Sequence, residues 1–384
     1  MKNTSCFRFV MLGMVLTGVW FPDKIKNKYY KILYVVYAVL YQGVCFFGIV
    51  LIEILRLLEV LGDIEKTAQV SLLLLTHLAQ FAKIVTIWGR QSRIKHLLHT
   101  LESPAFNREE SEKKFILDKT TKLASLVCNT YSSLVFVTAA MFGAFPMFQA
   151  DFYVPLAYPT FSTSSPMYYT VYGYQLFSII VNAFGNTGMD NLIGGLTGLA
   201  SAQLDLLSHE LTRVGDGSED PAGSLGYSIE CNKRAVHCLK YHQKIIRFVE
   251  EIESIFGVAV FCQFASSCII ACMTAFRMTI TNEPTQIINL VFYLLTILIE
   301  LLVYCYFGDV LINKSQQVAE AVYASSWQQT SLKTQRSLML LMLRAQRPLS
   351  ITAGKQFNLS LETFVVILKS SYSYFAVLNN NGAE

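Results

Sequence analysis

A stripe of polar and small aliphatic residues runs along one side of the last apolar segment of the chain. Its members recur every three or four positions and therefore share one face of a helix: Glu362, Val366, Lys369, Ser373, Val377 and Asn380, with Asn381 adjacent. Unsatisfied polar groups in lipid cost several kcal/mol, so the stripe must face water or protein. It belongs either to a pore-lining helix or to an ordinary bundle helix with a few hydrogen-bonding side chains.

Residues suited to enzymatic chemistry are sparse. One group lacks the close cysteine pair typical of a zinc site: Cys231, His237, Cys238 and His242. Four ionisable residues in apolar runs are too scattered along the chain to suggest an active site: His77, Lys83, Glu300 and Lys369. A phosphate-binding glycine loop and a catalytic triad are also missing from the sequence. We therefore predict no enzyme activity, no metal site, no cofactor and no nucleic-acid partner.

The composition indicates membrane lipid as the surroundings of this chain. Hydrophobic residues make up 53% of it and charged residues 15%, whereas an ordinary soluble domain carries about 25% charged residues. Hydropathy predicts seven spans: 30–52, 70–87, 123–145, 168–188, 255–276, 287–307 and 357–381. The last would be about 37 Å long and could cross a hydrocarbon core of about 30 Å. We predict an all-α membrane protein with seven transmembrane helices.

Positive charges are distributed unequally between the two ends of these spans. Of the 31 Lys and Arg residues, 25 lie in the N-terminal tail and in the second, fourth and sixth connections. The other connections hold only Arg56, Lys66 and Arg277. The positive-inside rule therefore places the N-terminus in the cytosol and the C-terminus outside. This orientation is the reverse of that of a G-protein-coupled receptor.

The cytoplasmic connections are predicted to be helical, and they either pack together as a small bundle below the membrane or extend each span into solvent. Apolar residues continue at helical spacing after Asp190, and an amphipathic stretch covers 331–349. We divide the chain into 1–29, a cytoplasmic N-terminal segment with an interfacial helix; 30–188, spans one to four; 189–254, a cytoplasmic helical extension and loop; 255–307, spans five and six; 308–355, cytoplasmic anchor helices; and 356–384, the pore-lining seventh span and extracellular C-terminus.

The C-terminal sequence LMLRAQRPLSITAGKQFNLSLETFVVILKSSYSYFAVL resembles the C-terminal signature of insect odorant receptors. Weaker similarity covers the run from Asp190 to Leu204 and the triplet Tyr306-Phe307-Gly308. The related gustatory receptors end in a Thr-Tyr…Gln-Phe pattern, whereas Ser373-Tyr374 is followed by no Gln-Phe here. The co-receptor of the family has a much longer second cytoplasmic loop region. The chain therefore resembles an odorant-tuning subunit.

This resemblance implies a ligand-gated, non-selective cation channel that forms a heterotetramer with the co-receptor in the plasma membrane of olfactory sensory neuron dendrites. The seventh helix would line the pore with the residues of the polar stripe, and cytoplasmic helices would join the subunits. Four copies of Lys369 near mid-membrane would repel one another and oppose cations, whereas one or two would be tolerable. Lys369 could instead face a neighbouring subunit or pair with Glu362.

The resemblance also implies an odorant site in the outer half of the helical bundle. Given the orientation, the residues expected there are His77, Gln80, Phe81, Ser133, Phe136, Val137, Ala140, Met141, Tyr172, Gln175, Ile179, Phe292 and Tyr293. Many apolar and aromatic groups with few polar ones suit a small, volatile, mostly apolar odorant. Core packing is the alternative role for each residue.

Other protein classes fit less well. A G-protein-coupled receptor would have the opposite charge distribution, an Asp-Arg-Tyr after the third span and an Asn-Pro-x-x-Tyr in the seventh. A transporter would show inverted repeats, and this sequence has no internal repeat. The G-protein-coupled receptor is the main alternative, and a gustatory-type receptor channel is a further one.

Glycosylation tests the predicted orientation. Acceptor sites occur at Asn3, Asn313 and Asn358. With the N-terminus in the cytosol, all three are out of reach of the lumenal glycosylation machinery. We therefore expect glycosidase treatment to leave the mobility of the full-length chain unchanged. A glycan on Asn3 or Asn313, which the opposite orientation would expose, would contradict the topology.

Overall fold

The computed structural model describes residues 7–22, 27–103, 106, 111–144, 166–215, 224–281 and 283–381. Within them the α-helices are α1 Arg8–Leu16, α2 Lys28–Tyr41, α3 Gly48–Glu59, α4 Ile64–Glu102, α5 Ser111–Ala144, α6 Pro166–Thr212, α7 Leu225–Ile280, α8 Pro284–Tyr323, α9 Leu332–Ala345 and α10 Leu361–Asn381. A π-helical stretch, Gln42–Phe47, joins α2 to α3, and a short 3-10 turn, Trp327–Gln329, precedes α9. Strands β1 Thr352–Ala353 and β2 Phe357–Asn358 form an antiparallel hairpin.

The first predicted span covers α2, the π-helical stretch and the start of α3, and each of the other six falls on a single helix. Five helical stretches in the described part of the chain are long and apolar enough to cross a membrane: Lys28–Glu59, Lys66–Glu102, Lys119–Gly143, Leu225–Ile280 and Pro284–Tyr323. The fourth and seventh predicted spans fall on α6 and α10. The last helix begins at Leu361 rather than at the expected position 357, because Phe357 and Asn358 pair with β1.

Several helices, including α6, α7 and α8, are too long for the bilayer alone. Helices α6, α7 and α8 contain 47, 56 and 40 residues, which corresponds to about 70, 84 and 60 Å, against a hydrocarbon core of about 30 Å. Beyond the spans they pack with α9 around one apolar core: Leu211, Val214, Ile245, Phe248, Val318, Val322, Leu338 and Leu341. This packing suits the predicted anchor region, whose boundaries stay a prediction.

Helix α1 packs against α6, where glycines leave room for it. A Cβ atom added to Gly195 would lie 2.5 Å from the ring of Phe7, and one on Gly188 would lie 3.1 Å from the backbone oxygen of Val10. Both Phe7 and Val10 are buried. One face of the predicted interfacial helix is therefore covered by α6, whereas Leu12 and Leu16 on another face are 50% and 46% exposed.

The start of α10 is held by α7 and α8. A Cβ atom on Gly308 of α8 would lie 2.3 Å from the backbone oxygen of Leu359, so only glycine allows this approach. The amide of Leu361 lies 3.4 Å from Oδ1 of Asp309. In the hairpin turn, Gly354 adopts a φ of 58° and donates a 2.9 Å hydrogen bond to Gly257 of α7. The hairpin thus links α10 to both neighbouring helices.

Candidate ligand pocket, charge cluster and pore face

A cluster of buried charges lies at the centre of the bundle, and we call it the charge cluster. The ammonium of Lys83 on α4 pairs with Asp190 on α6 and lies 3.0 Å from Oε1 of Glu300 on α8. It also donates to Oδ1 of Asn186 at 3.1 Å. The side chains of Lys83, Asp190 and Glu300 are only 1%, 1% and 3% exposed. Three helices are therefore tied together in the interior by one cation.

Two tyrosines complete the charge cluster by donating hydrogen bonds to Asp190. The hydroxyl of Tyr131, on α5, lies 3.0 Å from Oδ2, and that of Tyr304, on α8, lies 2.6 Å from Oδ1. The amide of Asn186 donates to Oδ2 at 3.2 Å. A buried carboxylate is tolerated when ion pairs and hydrogen bonds compensate its lost hydration. Asp190 receives both kinds of compensation.

The charge cluster corrects our expectation that the ionisable residues of the spans are scattered. Lys83 and Glu300 are in contact, whereas Lys369 lies on α10, outside the cluster. Nδ1 of His77 instead lies 3.0 Å from Oε2 of the buried Glu53. A signal was present in the sequence, since a lysine in a membrane span needs an acidic partner. Which of the acidic residues Asp190, Glu300 and Glu53 pairs with Lys83 depends on which helices are neighbours, and only the structure shows this.

The predicted odorant-site residues divide into two groups, of which the first faces the interior. His77, Gln80, Tyr172, Gln175 and Ile179 are buried, and Phe136, Met141, Phe292 and Tyr293 are half-buried. The amide of Gln80 donates to the backbone oxygen of Asn182 at 3.2 Å. The hydroxyl of Tyr293 lies 2.6 Å from Oγ1 of Thr76. These contacts join α4, α6 and α8.

The second group lies on the outer surface of the chain. Ser133, Val137 and Ala140 are exposed on α5, and Phe81 is exposed on α4. The neighbouring Phe136 turns inward, with its ring centroid 5.5 Å from that of Phe184 on α6. The structure therefore does not bring the second group together with the first.

The predicted pore face of α10 points away from the rest of the subunit. Glu362, Val366, Lys369 and Ser373 are exposed, whereas Ile367 is only 8% exposed. Among the described side chains, none forms an ion pair with Lys369 or Glu362. The side chains of Val377, Asn380 and Asn381 lie outside the described ones. One face of α10 is thus covered by its own subunit, and the polar face is not.

In the cysteine and histidine group of α7, Cys231, Cys238 and His242 are buried, whereas the side chain of His237 is 58% exposed. Burial, with a smaller effect of nearby Arg344, lowers the pKa of His242 to about 4, so its imidazole is neutral at physiological pH. Within the described ranges, no three His, Cys, Asp or Glu side chains are grouped so that they could hold a metal.

Comparison with known proteins identifies the family. A family model described as 7tm Odorant receptor matches residues 63–372. The chain belongs to this family. Its members are ligand-gated cation channels and not enzymes. This receptor is accordingly a multi-pass membrane protein, as predicted.

Individual relatives match the receptor over most of its length. Odorant receptor 46a, isoform A, of Drosophila melanogaster is 23% identical over 90% of this chain and 91% of that protein. Odorant receptor 2a of the same organism is 24% identical over 94% and 93%. The solved structure of olfactory receptor OR5 from Machilis hrabei in complex with eugenol has a TM-score of 0.82 at 18% identity, over 99% of this chain and 100% of that one. The predicted fold class is confirmed, while the orientation of the termini stays a prediction.

Removing Lys83 tests the charge cluster. Lys83→Met leaves two buried carboxyl groups without their cation, and breaking a buried pair in this way costs about 3–5 kcal/mol. We expect little of this variant at the cell surface by biotinylation. Adding Asp190→Asn removes one carboxylate and should restore part of the loss. The control is Lys66→Met, whose surface pair with Asp63 is worth about 0–1 kcal/mol. A wild-type surface level of Lys83→Met would contradict the assigned role.

Proposed function

We propose that this receptor is the odorant-binding subunit of a non-selective cation channel and acts with the co-receptor in a heterotetramer. It converts the binding of a volatile ligand into membrane current in olfactory sensory neurons. The observation that carries the proposal is the two-sided character of α10. Its polar stripe is exposed, whereas Ile367 on another face packs within the subunit. A spanning helix with such a face needs water or another subunit beside it.

Lys369 supports a mixed assembly. It is exposed on the polar face and has no ion-pair partner among the described side chains. Four such ammonium groups around one axis would repel each other and the permeating cations. Co-receptor subunits in some positions of the ring would reduce this repulsion. The receptor should therefore conduct poorly as a homotetramer.

Helix α9 supports subunit assembly at the cytoplasmic side. Leu340 and Leu343 are 66% and 61% exposed there, and Leu332 at the start of the helix is 72% exposed. The same helix buries Leu338 and Leu341 in the anchor core of its own subunit. Apolar side chains on both faces of a helix outside the membrane suit a surface that another subunit covers.

The odorant site that we propose is the inward-facing group of outer-half residues. Gln80, Phe136, Tyr172 and Ile179 come from three helices and combine apolar surface with a small number of polar atoms. Such a lining suits a small, mostly apolar ligand that is held by burial and one or two hydrogen bonds. The exposed residues Ser133, Val137 and Ala140 on α5 and Phe81 on α4 are expected to contribute less to ligand binding.

Thiol accessibility tests the pore face. The receptor is expressed with the co-receptor and challenged with an odorant panel, and each cysteine variant is compared with the unsubstituted receptor. We expect odorant-gated cation current that a permeant thiol reagent alters in Val366→Cys and Ser373→Cys channels. Ile367→Cys, one position from Val366 but facing the subunit core, is the control and should be unaffected. Reaction at Ile367→Cys alone, or robust current without the co-receptor, would contradict the assignment.

Truncation of Ile179 tests the odorant site. Ile179→Ala removes buried apolar surface where α6 packs on α3 and α5. Loss of about 1.4 kcal/mol of ligand contact corresponds to a tenfold rise in the half-maximal concentration. The control is Leu126→Ala, because Leu126 is exposed and lies near the predicted cytoplasmic end of the third span, away from the proposed odorant site. If no active odorant responds differently to Ile179→Ala at normal surface expression, this site is wrong.

A further inference from the structure

A line of contacts runs from the charge cluster to the segment that precedes α10. Tyr304 donates its hydroxyl to Asp190, and its ring centroid lies 6.1 Å from that of Phe264 on α7. Phe264 in turn lies 5.5 Å from Phe357 of strand β2. Phe357 is four positions before the first residue of α10. One tyrosine thus joins a buried carboxylate to the base of the pore-facing helix.

The same part of α8 holds the base of α10 by its backbone. Gly308, one turn after Tyr304, is in direct contact with Leu359, and Asp309 accepts from the amide of Leu361. Protein interiors are close-packed, so a shift of α8 cannot be absorbed by empty space between these groups. A displacement at Tyr304 therefore reaches the hairpin and the first turn of α10.

The other members of the charge cluster lie on the helices that carry the proposed odorant site. Lys83 follows Gln80 by one helical turn on α4, and Asp190 lies on α6 with Tyr172 and Ile179. A ligand that moves α4 or α6 relative to α8 changes the geometry at Asp190. Hydrogen bonds to a charged group are short and directional, which makes the Tyr304 hydroxyl sensitive to that change.

The charge cluster contains two carboxyl groups for one ammonium group, so a fully ionised cluster would hold one excess negative charge in a low dielectric. The hydrogen bonds that Asp190 accepts from Tyr131 and Tyr304 compensate part of that charge. Removing the Tyr304 hydroxyl therefore removes compensation from a buried carboxylate.

We propose that Tyr304 is a positioning residue that couples the odorant-binding half of the receptor to α10, through Asp190 on one side and through Phe264 and Phe357 on the other. This inference rests on the proposed function, because it concerns the step between ligand binding and channel opening. It requires that Tyr304 bias the closed–open equilibrium for every odorant alike. A lesion of the odorant site would affect odorants differently.

The chain offers a matched control in Tyr131. Both hydroxyls donate to Asp190, and both side chains are buried. The ring of Tyr131 packs instead in a cluster with Ala124, Val303 and Phe307, which does not include Phe264 or Phe357. Tyr131→Phe therefore removes the same kind of hydrogen bond from the same carboxylate without touching the route to Phe357. A purely structural role of the hydroxyls would appear equally in the two variants.

The experiment compares Tyr304→Phe, Phe264→Leu, their combination and Tyr131→Phe, each expressed with the co-receptor. Coupling between sites typically changes affinity 5- to 150-fold. For Tyr304→Phe we expect a change of about tenfold in the half-maximal concentration, in the same direction for all active odorants, together with altered basal current. Phe264→Leu should act alike, and the combination should not exceed the larger single effect, because both break one route. Tyr131→Phe should stay within about twofold.

Several results would overturn the coupling role while leaving the proposed function intact. These are equal shifts in Tyr304→Phe and Tyr131→Phe, wild-type responses in both Tyr304→Phe and Phe264→Leu, or fully additive effects in the combination. Surface labelling corrects each response for the amount of receptor at the cell surface. If Tyr304→Phe does not reach the surface, the shift in half-maximal odorant concentration of Phe264→Leu tests the proposal by itself. Absence of odorant-gated current from the unsubstituted receptor would instead refute the proposed function itself.

Discussion

The ammonium group of Lys83 lies inside a bundle of spanning helices, where neither water nor lipid can stabilise it. Among the described residues, its charge is compensated by Asp190, Glu300 and Asn186. Breaking one of these contacts exposes the remaining charges to a low dielectric, so the partners must stay together. The relative positions of α4, α6 and α8 are therefore set by a requirement of charge neutrality as well as by apolar packing.

This constraint affects helices that would otherwise be free to slide. Packing between spanning helices lacks a hydrophobic driving force, because lipid tails are as apolar as the side chains. The glycines of α6 allow close approach of α1 at Gly188 and Gly195, and Gly308 allows close approach of the hairpin. Polar contacts limit how far the helices can slide past one another. An example is the hydrogen bond between the hydroxyls of Thr138 and Thr296, whose Oγ1 atoms are 2.7 Å apart. The fold and the proposed coupling route thus share the polar contacts at Asp190.

The helices could be predicted from the sequence, whereas their partners could not. Apolar length and helical spacing locate the spans, because these properties are local. Lys83 is 107 residues from Asp190 and 217 from Glu300, so the pairing depends on which helices are neighbours. The same limit applies to the odorant site, since Phe136 and Val137 are adjacent in sequence yet face opposite ways. The predicted start of α10 was four residues too early, because strand β2 precedes the helix. A strand of two residues is too short to produce an alternating pattern in the sequence.

Two lysines in the spans meet the cost of a charge in lipid in opposite ways. Lys83 is 1% exposed and fully compensated within its subunit. Lys369 is exposed, and no described side chain pairs with it. Because lipid cannot stabilise an ammonium at mid-membrane, its surroundings must come from outside the subunit, as water in a pore or as polar groups of a neighbour. The same physical rule that closes the bundle around Lys83 therefore leaves the surface at Lys369 incomplete in a single chain, and the proposed assembly around an aqueous path would complete it.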